Sequence, residues 1–320
     1  MPDRPLPPRP LTLRHLTPTD AAGFIFLVAD VAATAAGIWL ASRPVPAVWL
    51  AGQMLLAAAL VEWFVLLHEC GHGTLFRTKS LHALVGHVAG FFALIPFHCW
   101  KWIHYRHHKW TGWQDVDPTT AALVPRPLGR LERVLVNVCW RYWIPLFSVL
   151  YRVNNFWNAR RLLRLFRSRP RVRRRLLLNA AVLAATYAAV AITIGPITLV
   201  RLVGLALVLA FIVEDVLLLS QHTHVPMRLS RGRKVDPFGP IAQEPFTRSL
   251  RLPAWLSRTL LHFDAHELHH MYPFVPGYRL RQVPHSPGNE VSCWRWVPAA
   301  RAVPGDVFLF QNRNESGFDV

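Results

Sequence analysis

The sequence predicts an all-α integral membrane protein, with four transmembrane helices in two hairpins, interfacial helices between them and a histidine-rich cap on one membrane face. Three observations predict it. The 320-residue chain is 52% hydrophobic with a positive mean hydropathy, too apolar for an ordinary soluble domain. Its apolar residues gather in stretches of about twenty, the length a helix needs to cross the hydrocarbon core. Of its 16 histidines, eight fall in three tight clusters at helical spacing.

The elements follow in chain order. Residues 1–20 are rich in proline and arginine and read as an N-terminal tail. The stretch Ala21 to Ala41 has no small-residue cleavage pattern behind it, so it is a membrane helix and not a signal peptide. At 1.5 Å per residue it spans about 31 Å, enough for the bilayer core. Ser42 to Pro46, with two prolines, turns the chain into a second span from Ala47 to about Leu67. A second hairpin runs from about Leu176 to Ile194, turns at Gly195 and Pro196, and returns from Ile197 to about Ser220. Two other apolar stretches, Leu81 to Phe97 and Leu131 to Leu150, are shorter or broken by charge and proline, and read as interfacial or re-entrant segments. Trp100, Trp102, Trp110 and Trp113 suit that interfacial level. Residues 285–320 are polar and dotted with proline, and read as a C-terminal tail.

A formal charge of +18 could suggest nucleic acid, but no groove-reading motif accompanies it. Basic residues beside long apolar spans face anionic lipid instead. The stretch from Tyr151 to Arg175 is dense in arginine, whereas the hairpin turns hold little charge beyond Arg43. Positive loops stay inside, which places both termini in the cytoplasm; lysine only at positions 79, 101, 109 and 234, with abundant alanine and proline, points to a GC-rich bacterial genome and so to a bacterial cytoplasmic membrane. Cys70, Cys99, Cys139 and Cys293 have no paired spacing, so no disulfides are expected.

The chemistry sits in the histidines. His68-Glu-Cys-Gly-His72, His104-Tyr-Arg-His107-His108 and His266-Glu-Leu-His269-His270 each bring their imidazoles to one face if helical. Neutral imidazole suits iron, copper, zinc and nickel, so ligand type leaves the metal open. Number says more: eight histidines exceed the needs of one zinc ion and suit two metals with open positions. The main rival is a zinc metallopeptidase, since His68-Glu69-x-x-His72 matches H-E-x-x-H. Yet His266-Glu267-x-x-His270 matches it too, and the cluster at His104 would stay unexplained.

The order HECGH, HYRHH, HELHH resembles the three histidine boxes of the membrane fatty-acid desaturase and hydroxylase family. The likeness extends to WKWIHYRHHKWTGWQDVDPT, LLLSQHTH and AHELHHMYPFVPGY, and covers roughly Val65 to Leu280. The spacing of the first box and the glutamine-histidine segment look closest to the acyl-lipid type. The resemblance implies a membrane desaturase domain over 21–284 with a cytoplasmic cap holding two non-haem irons, and O2 as co-substrate. It implies that His68, His72, His104, His107, His108, His266, His269 and His270 are metal ligands. It also implies a fatty acyl desaturase acting on a lipid chain, with hydroxylation, carotenoid ketolation and terminal-alkene-forming decarboxylation as neighbouring reactions. No donor-like extension is fused to the chain, so a separate donor of ferredoxin or cytochrome b5 type is expected, docking on the arginine-rich face.

The remaining candidates are carboxylates and one further histidine. Glu69, Asp115, Asp117, Asp264 and Glu267 lie close enough in sequence to orient ligand rings. Glu214 and Asp215 are ionisable groups inside an apolar span; the catalytic reading is proton delivery, and the alternative is a structural bond to a neighbouring segment. Glu62 allows the same two readings. His222, at the end of the fourth span, is the expected ninth ligand in preference to His224, because it continues the face of Asp215, Leu218 and Leu219, and because His224 runs into Pro226. The resemblance favours His222 as well.

Overall fold

The computed structural model describes residues 7–318 and 320, so the first six residues of the N-terminal tail and Asp319 of the C-terminal stretch lie outside the described residues. Helices dominate. In chain order they are α1 (Asp20–Ala41), α2 (Pro46–His72), α3 (Lys79–Phe92), α4 (Phe97–Trp110), α5 (Arg130–Tyr142), α6 (Leu146–Arg152), α7 (Ala159–Leu165), α8 (Pro170–Ile194), α9 (Pro196–Leu199) and α10 (Leu205–His222). After them come α11 (Ala254–Thr259), α12 (His266–Met271), α13 (Cys293–Ala302), α14 (Gly305–Phe310) and α15 (Arg313–Ser316). Two three-residue strands, β1 (Ser249–Arg251) and β2 (Glu290–Ser292), pair in parallel with Leu250 opposite Val291.

Among the described residues, four helices are long and apolar enough to cross a membrane: Asp20–Ala41, Pro46–His72, Pro170–Ile194 and Pro196–His222. Their ends follow local chemistry. Thr19 caps α1 by accepting from the backbone N–H of Ala22 at 3.3 Å. Pro46, Pro170 and Pro196 stand in the first turn of α2, α8 and α9, where the missing N–H costs nothing. The second span continues five residues past Leu67, to His72, and stops where Gly73 takes a left-handed φ of 75°. The last span contains a π turn at Val200–Gly204. Gln53 of α2 stitches it: its Nε2 donates to the carbonyls of Arg201 (3.2 Å) and Leu202 (2.7 Å), and its Oε1 accepts from Ala206 N–H (2.9 Å). A side-chain amide thus satisfies backbone groups that the wider turn releases.

The two segments expected to be interfacial or re-entrant are bent helix pairs, Lys79–Phe92 with Phe97–Trp110 at 99° and Arg130–Tyr142 with Leu146–Trp157 at 116°. Each break has a local cause: Leu94 (φ 57°) before Pro96, and Trp143 (φ 57°) before Pro145.

The chain divides into two compact units. The span-bearing unit comprises 18–103 and 147–214. Its α1 and α2 meet over glycines: a Cβ on Gly52 would fall 2.3 Å from the backbone nitrogen of Ala41, so only hydrogen fits. Trp63 donates its indole N–H to Thr34 Oγ1 (2.8 Å) and stacks on Phe92. Ile25, Val28, Leu178, Val182 and Ile192 stay exposed along the spans, as side chains that meet lipid would.

The histidine-bearing unit comprises 1–17, 104–146 and 215–320. One core of it gathers Leu13 and Leu16 with Ala265, Leu268, Met271, Tyr272, Val275, Leu280 and Val283. Residues 285–320, read from sequence as a polar tail, carry β2 and α13 to α15, and bury Trp296 and Phe308, with Phe308 stacked on Trp140 at 4.6 Å. Their apolar residues are too widely spaced among prolines to show a helical period.

Candidate metal centre

In the span-bearing unit the last turn of α2 presents His68 and His72, with ring centroids 4.8 Å apart. Glu69 supports the turn from within: its Oε1 lies 3.2 Å from His68 Nδ1, and its Oε2 accepts from Thr74 Oγ1 at 2.7 Å. Gly71 leaves room for Trp100, whose indole ring would stand 3.0 Å from a Cβ there.

In the histidine-bearing unit α4, the end of α10 and α12 converge. His107, His222, His266 and His270 place one ring nitrogen each within 4.8 Å of one another, and so do His104, His108 and His269. The closest approaches are His222 Nε2 to His266 Nε2 (2.7 Å), His107 to His222 (3.1 Å), His266 to His270 (3.1 Å), His108 to His269 (3.0 Å) and His104 to His108 (3.1 Å). A metal with nitrogen ligands at about 2.1 Å in an octahedron sets adjacent ligands about 3.0 Å apart, so these spacings fit one.

The outer nitrogens decide what the inner ones can be. Gln243 Nε2 donates to the carbonyls of His108 (2.7 Å) and Phe238 (3.1 Å), which fixes the amide and leaves Oε1 to accept from His270 Nδ1 (2.9 Å). Asp117 Oδ2 accepts from His107 Nδ1 at 2.7 Å, while Asp117 Oδ1 accepts from Thr119 Oγ1 at 2.9 Å. A neutral imidazole has one N–H, so His107 and His270 both turn an Nε2 lone pair inward. Between them run the approaches through His222 and His266. With lone pairs at both ends, donors and acceptors cannot alternate along four nitrogens, and at least one approach sets two lone pairs or two N–H groups against each other. A bound cation removes that conflict. An extra proton is the poorer answer, because burial and the adjacent imidazoles hold His270 well below the usual histidine range.

Of the carboxylates singled out in the sequence, Asp117 and Glu69 contact a box histidine. Asp115 instead binds Ser230 and the backbone N–H of Arg231, Asp264 binds Ser257 and Arg281, and Glu267 accepts from the backbone N–H groups of Ser249 and Asn289. Burial pushes Glu267 up to about 7. His222 stands inside its cluster, whereas His224, at φ 56°, faces Gln311 O (3.1 Å) and Ser316 Oγ (2.8 Å). Glu214 forms a buried ion pair with Arg152, which also donates to Ala93 O (2.9 Å). Asp215 is half-buried and acts electrostatically on the Cys139 thiol; neither carboxylate belongs to a histidine group. Sequence reasoning passed over Gln243, Thr119 and Arg152. A lone Gln in IAQEPF carries no signal, and Arg152 is one of many arginines in its stretch.

A model of the fatty acid desaturase family matches residues 44–286. The chain belongs to that family of oxidoreductases. Among curated relatives, a probable fatty acid desaturase of Sorghum bicolor is 26% identical over 265 residues, covering 80% of this chain and 67% of that protein. The sn-2 acyl-lipid omega-3 desaturase (ferredoxin) of Arabidopsis thaliana is 26% identical over 251 residues, 73% of this chain and 53% of that protein. The acyl-lipid omega-3 desaturase (cytochrome b5) of the same plant is 31% identical over 128 residues, 39% and 32% of the two chains. The matched stretch thus spans two thirds or less of the length of these relatives.

Proposed function

We propose that the chain is an oxygen-dependent fatty acyl desaturase that introduces a double bond into a lipid acyl chain. The observation that carries the reading is the pair of all-imidazole groups, one of them supported at its outer nitrogens by Asp117 and Gln243. His107, His222, His266 and His270 would hold one iron. His104, His108 and His269 would hold a second, and the first-box pair His68 and His72 are proposed as metal ligands in their own unit. When bound, such irons supply the oxidising equivalents that O2 provides for removing hydrogen from an unactivated methylene. The chain's own residues keep the imidazoles aimed: Asp117 and Gln243 orient the rings of His107 and His270, and burial keeps bulk water from the rings.

The two electrons each turnover needs come from a separate donor, for which the ferredoxin and cytochrome b5 designations of the relatives name the type. The donor docks on the arginine-dense cytoplasmic face, and both termini lie on that side of a bacterial cytoplasmic membrane. Asp215, about two helical turns before the end of the last span, passes protons toward the histidines, whereas Glu214 holds Arg152. Expression in a host of known lipid composition, followed by mass spectrometry of lipids, pigments and volatile hydrocarbons, tests the reading. An acyl chain lighter by two hydrogens is expected. A hydroxylated lipid, a ketocarotenoid or a terminal alkene would assign the neighbouring reaction instead, and one zinc per chain without iron would refute the oxidative reading.

A further inference from the structure

Within the first hairpin, two acidic side chains are buried between apolar helices, and the proposed chemistry uses neither. Asp30 of α1 is 3% exposed and Glu62 of α2 is 8% exposed. Asp30 stands near the middle of α1, and Glu62 about three turns before the end of α2.

Close packing sets their level. At Gly37 of α1 an added Cβ would fall 2.7 Å from Leu56 Cγ of α2, and one turn earlier Thr34 Oγ1 accepts from the Trp63 indole N–H (2.8 Å). Asp30 lies one further turn before Thr34 on the same face of α1, and Glu62 adjoins Trp63 on α2. The Asp30 carboxyl acts electrostatically on Glu62.

Neither carboxyl has the company that a buried charge needs. Both Oδ atoms of Asp30 and Oε2 of Glu62 have no hydrogen-bond partner among the described residues. No described lysine, arginine or histidine acts electrostatically on either group. Polar groups of the same helices and the segment after them are engaged elsewhere. Gln53 binds the π turn, Asp20 accepts from Thr78, Glu69 accepts from Thr74, and His82 Nε2 accepts from Phe76 N–H (3.1 Å). Glu214 shows the contrast, because its buried carboxylate has Arg152 as counter-charge.

A carboxylate buried without a counter-charge is so costly that the group takes up a proton instead, and a second carboxyl beside it adds to the demand. We propose that Asp30 and Glu62 form a proton-binding site inside the α1–α2 hairpin, occupied at neutral pH. A hard metal ion does not suit the place. Such ions take about six to eight oxygen ligands, whereas Thr34 is engaged by Trp63 and the backbone carbonyls are engaged in the helices. Acids inside membrane helices recur in proton relays, since a bound proton alone decides their charge there. The pair gives the first hairpin a place to take up and release a proton apart from the histidines.

The test is infrared spectroscopy of the purified full chain at neutral pH, reading the carbonyl stretch of protonated carboxylic acid against the carboxylate bands. The double variant Asp30→Asn with Glu62→Gln keeps side-chain shape and neutrality. Wild type minus this variant cancels other acids, such as Glu267, which burial brings to about 7. That difference should contain the acid band. Heavy-carbon labelling of aspartate or glutamate side-chain carboxyls should shift the band in the wild-type chain, with no substitution made. Glu132→Gln, at an exposed carboxylate paired with Arg126, should yield a difference in carboxylate bands alone. Carboxylate bands alone in the double-variant difference, or no acid band that moves on labelling, overturns the site. Loss of the acid band when sodium replaces choline at equal ionic strength overturns the proton as its ligand. Neither iron nor turnover enters these readouts, so a failure here is distinguishable from a failure of the desaturase reading.

Discussion

Gln243→Leu isolates what the supporting amide contributes to the metal centre. The side chain is 2% exposed and makes its bonds in both directions, donating to His108 O (2.7 Å) and Phe238 O (3.1 Å) and accepting from His270 Nδ1 (2.9 Å). Leucine keeps the volume and removes all three. His270 then loses the acceptor that holds its proton on Nδ1, so its Nε2 is no longer held as a lone pair toward His222 and His266. Outer partners of metal-bound histidines are worth about 10- to 100-fold in metal affinity, or about 1.4 to 2.7 kcal/mol. The freed carbonyls and imidazole N–H add a folding cost of about 1–3 kcal/mol each where water cannot reach them. Gln243→Glu separates the two effects, because a carboxylate still accepts from His270 but cannot donate to His108 O. The assay is iron per chain against increasing chelator, with thermal unfolding measured on the same samples. Gln243→Leu should release iron at about 10- to 100-fold lower chelator than wild type, and Gln243→Glu should fall between them. If Gln243→Leu holds iron as wild type does while remaining folded, the argument from tautomer fixation is refuted.

Three further outcomes follow from the same geometry. His222→Ala should lose about one of two irons and all product, whereas His224→Ala, which removes contacts to Gln311 and Ser316, should keep its iron; metal analysis of the pair decides between them. Arg152→Met should destabilise the fold by about 3–5 kcal/mol by stranding Glu214, and Arg152→Met with Glu214→Leu should recover most of that; a double variant no more stable than the single one would contradict the ion-pair account. Tyr105→Cys and Trp255→Cys, at exposed positions near the second and third boxes, should react with a membrane-impermeant maleimide only after the cytoplasmic face is opened, against a low background because Cys70, Cys99, Cys139 and Cys293 are buried; labelling of intact cells at either position would overturn the topology.

Read alone, the sequence determines the helices and the ligand types. Long apolar stretches can satisfy their backbone in a membrane only as helices, so the four spans were legible to within a turn or two, including the Gly195 turn, although the third starts at Pro170, ahead of the Leu176 read from the sequence. Imidazoles at i, i+3 and i+4 were legible as clusters sharing one face because the helical repeat alone puts them there. Only the tertiary structure decided which distant histidines share a group, that Gln243 rather than Glu267 braces a ring, and that residues 285–320 fold into the histidine-bearing unit. The reason is physical: periodicity reports contacts within about two turns of a helix, whereas a hydrogen bond from His270 to Gln243 or an ion pair from Glu214 to Arg152 depends on where whole elements pack, and a single polar residue carries no period that could announce it.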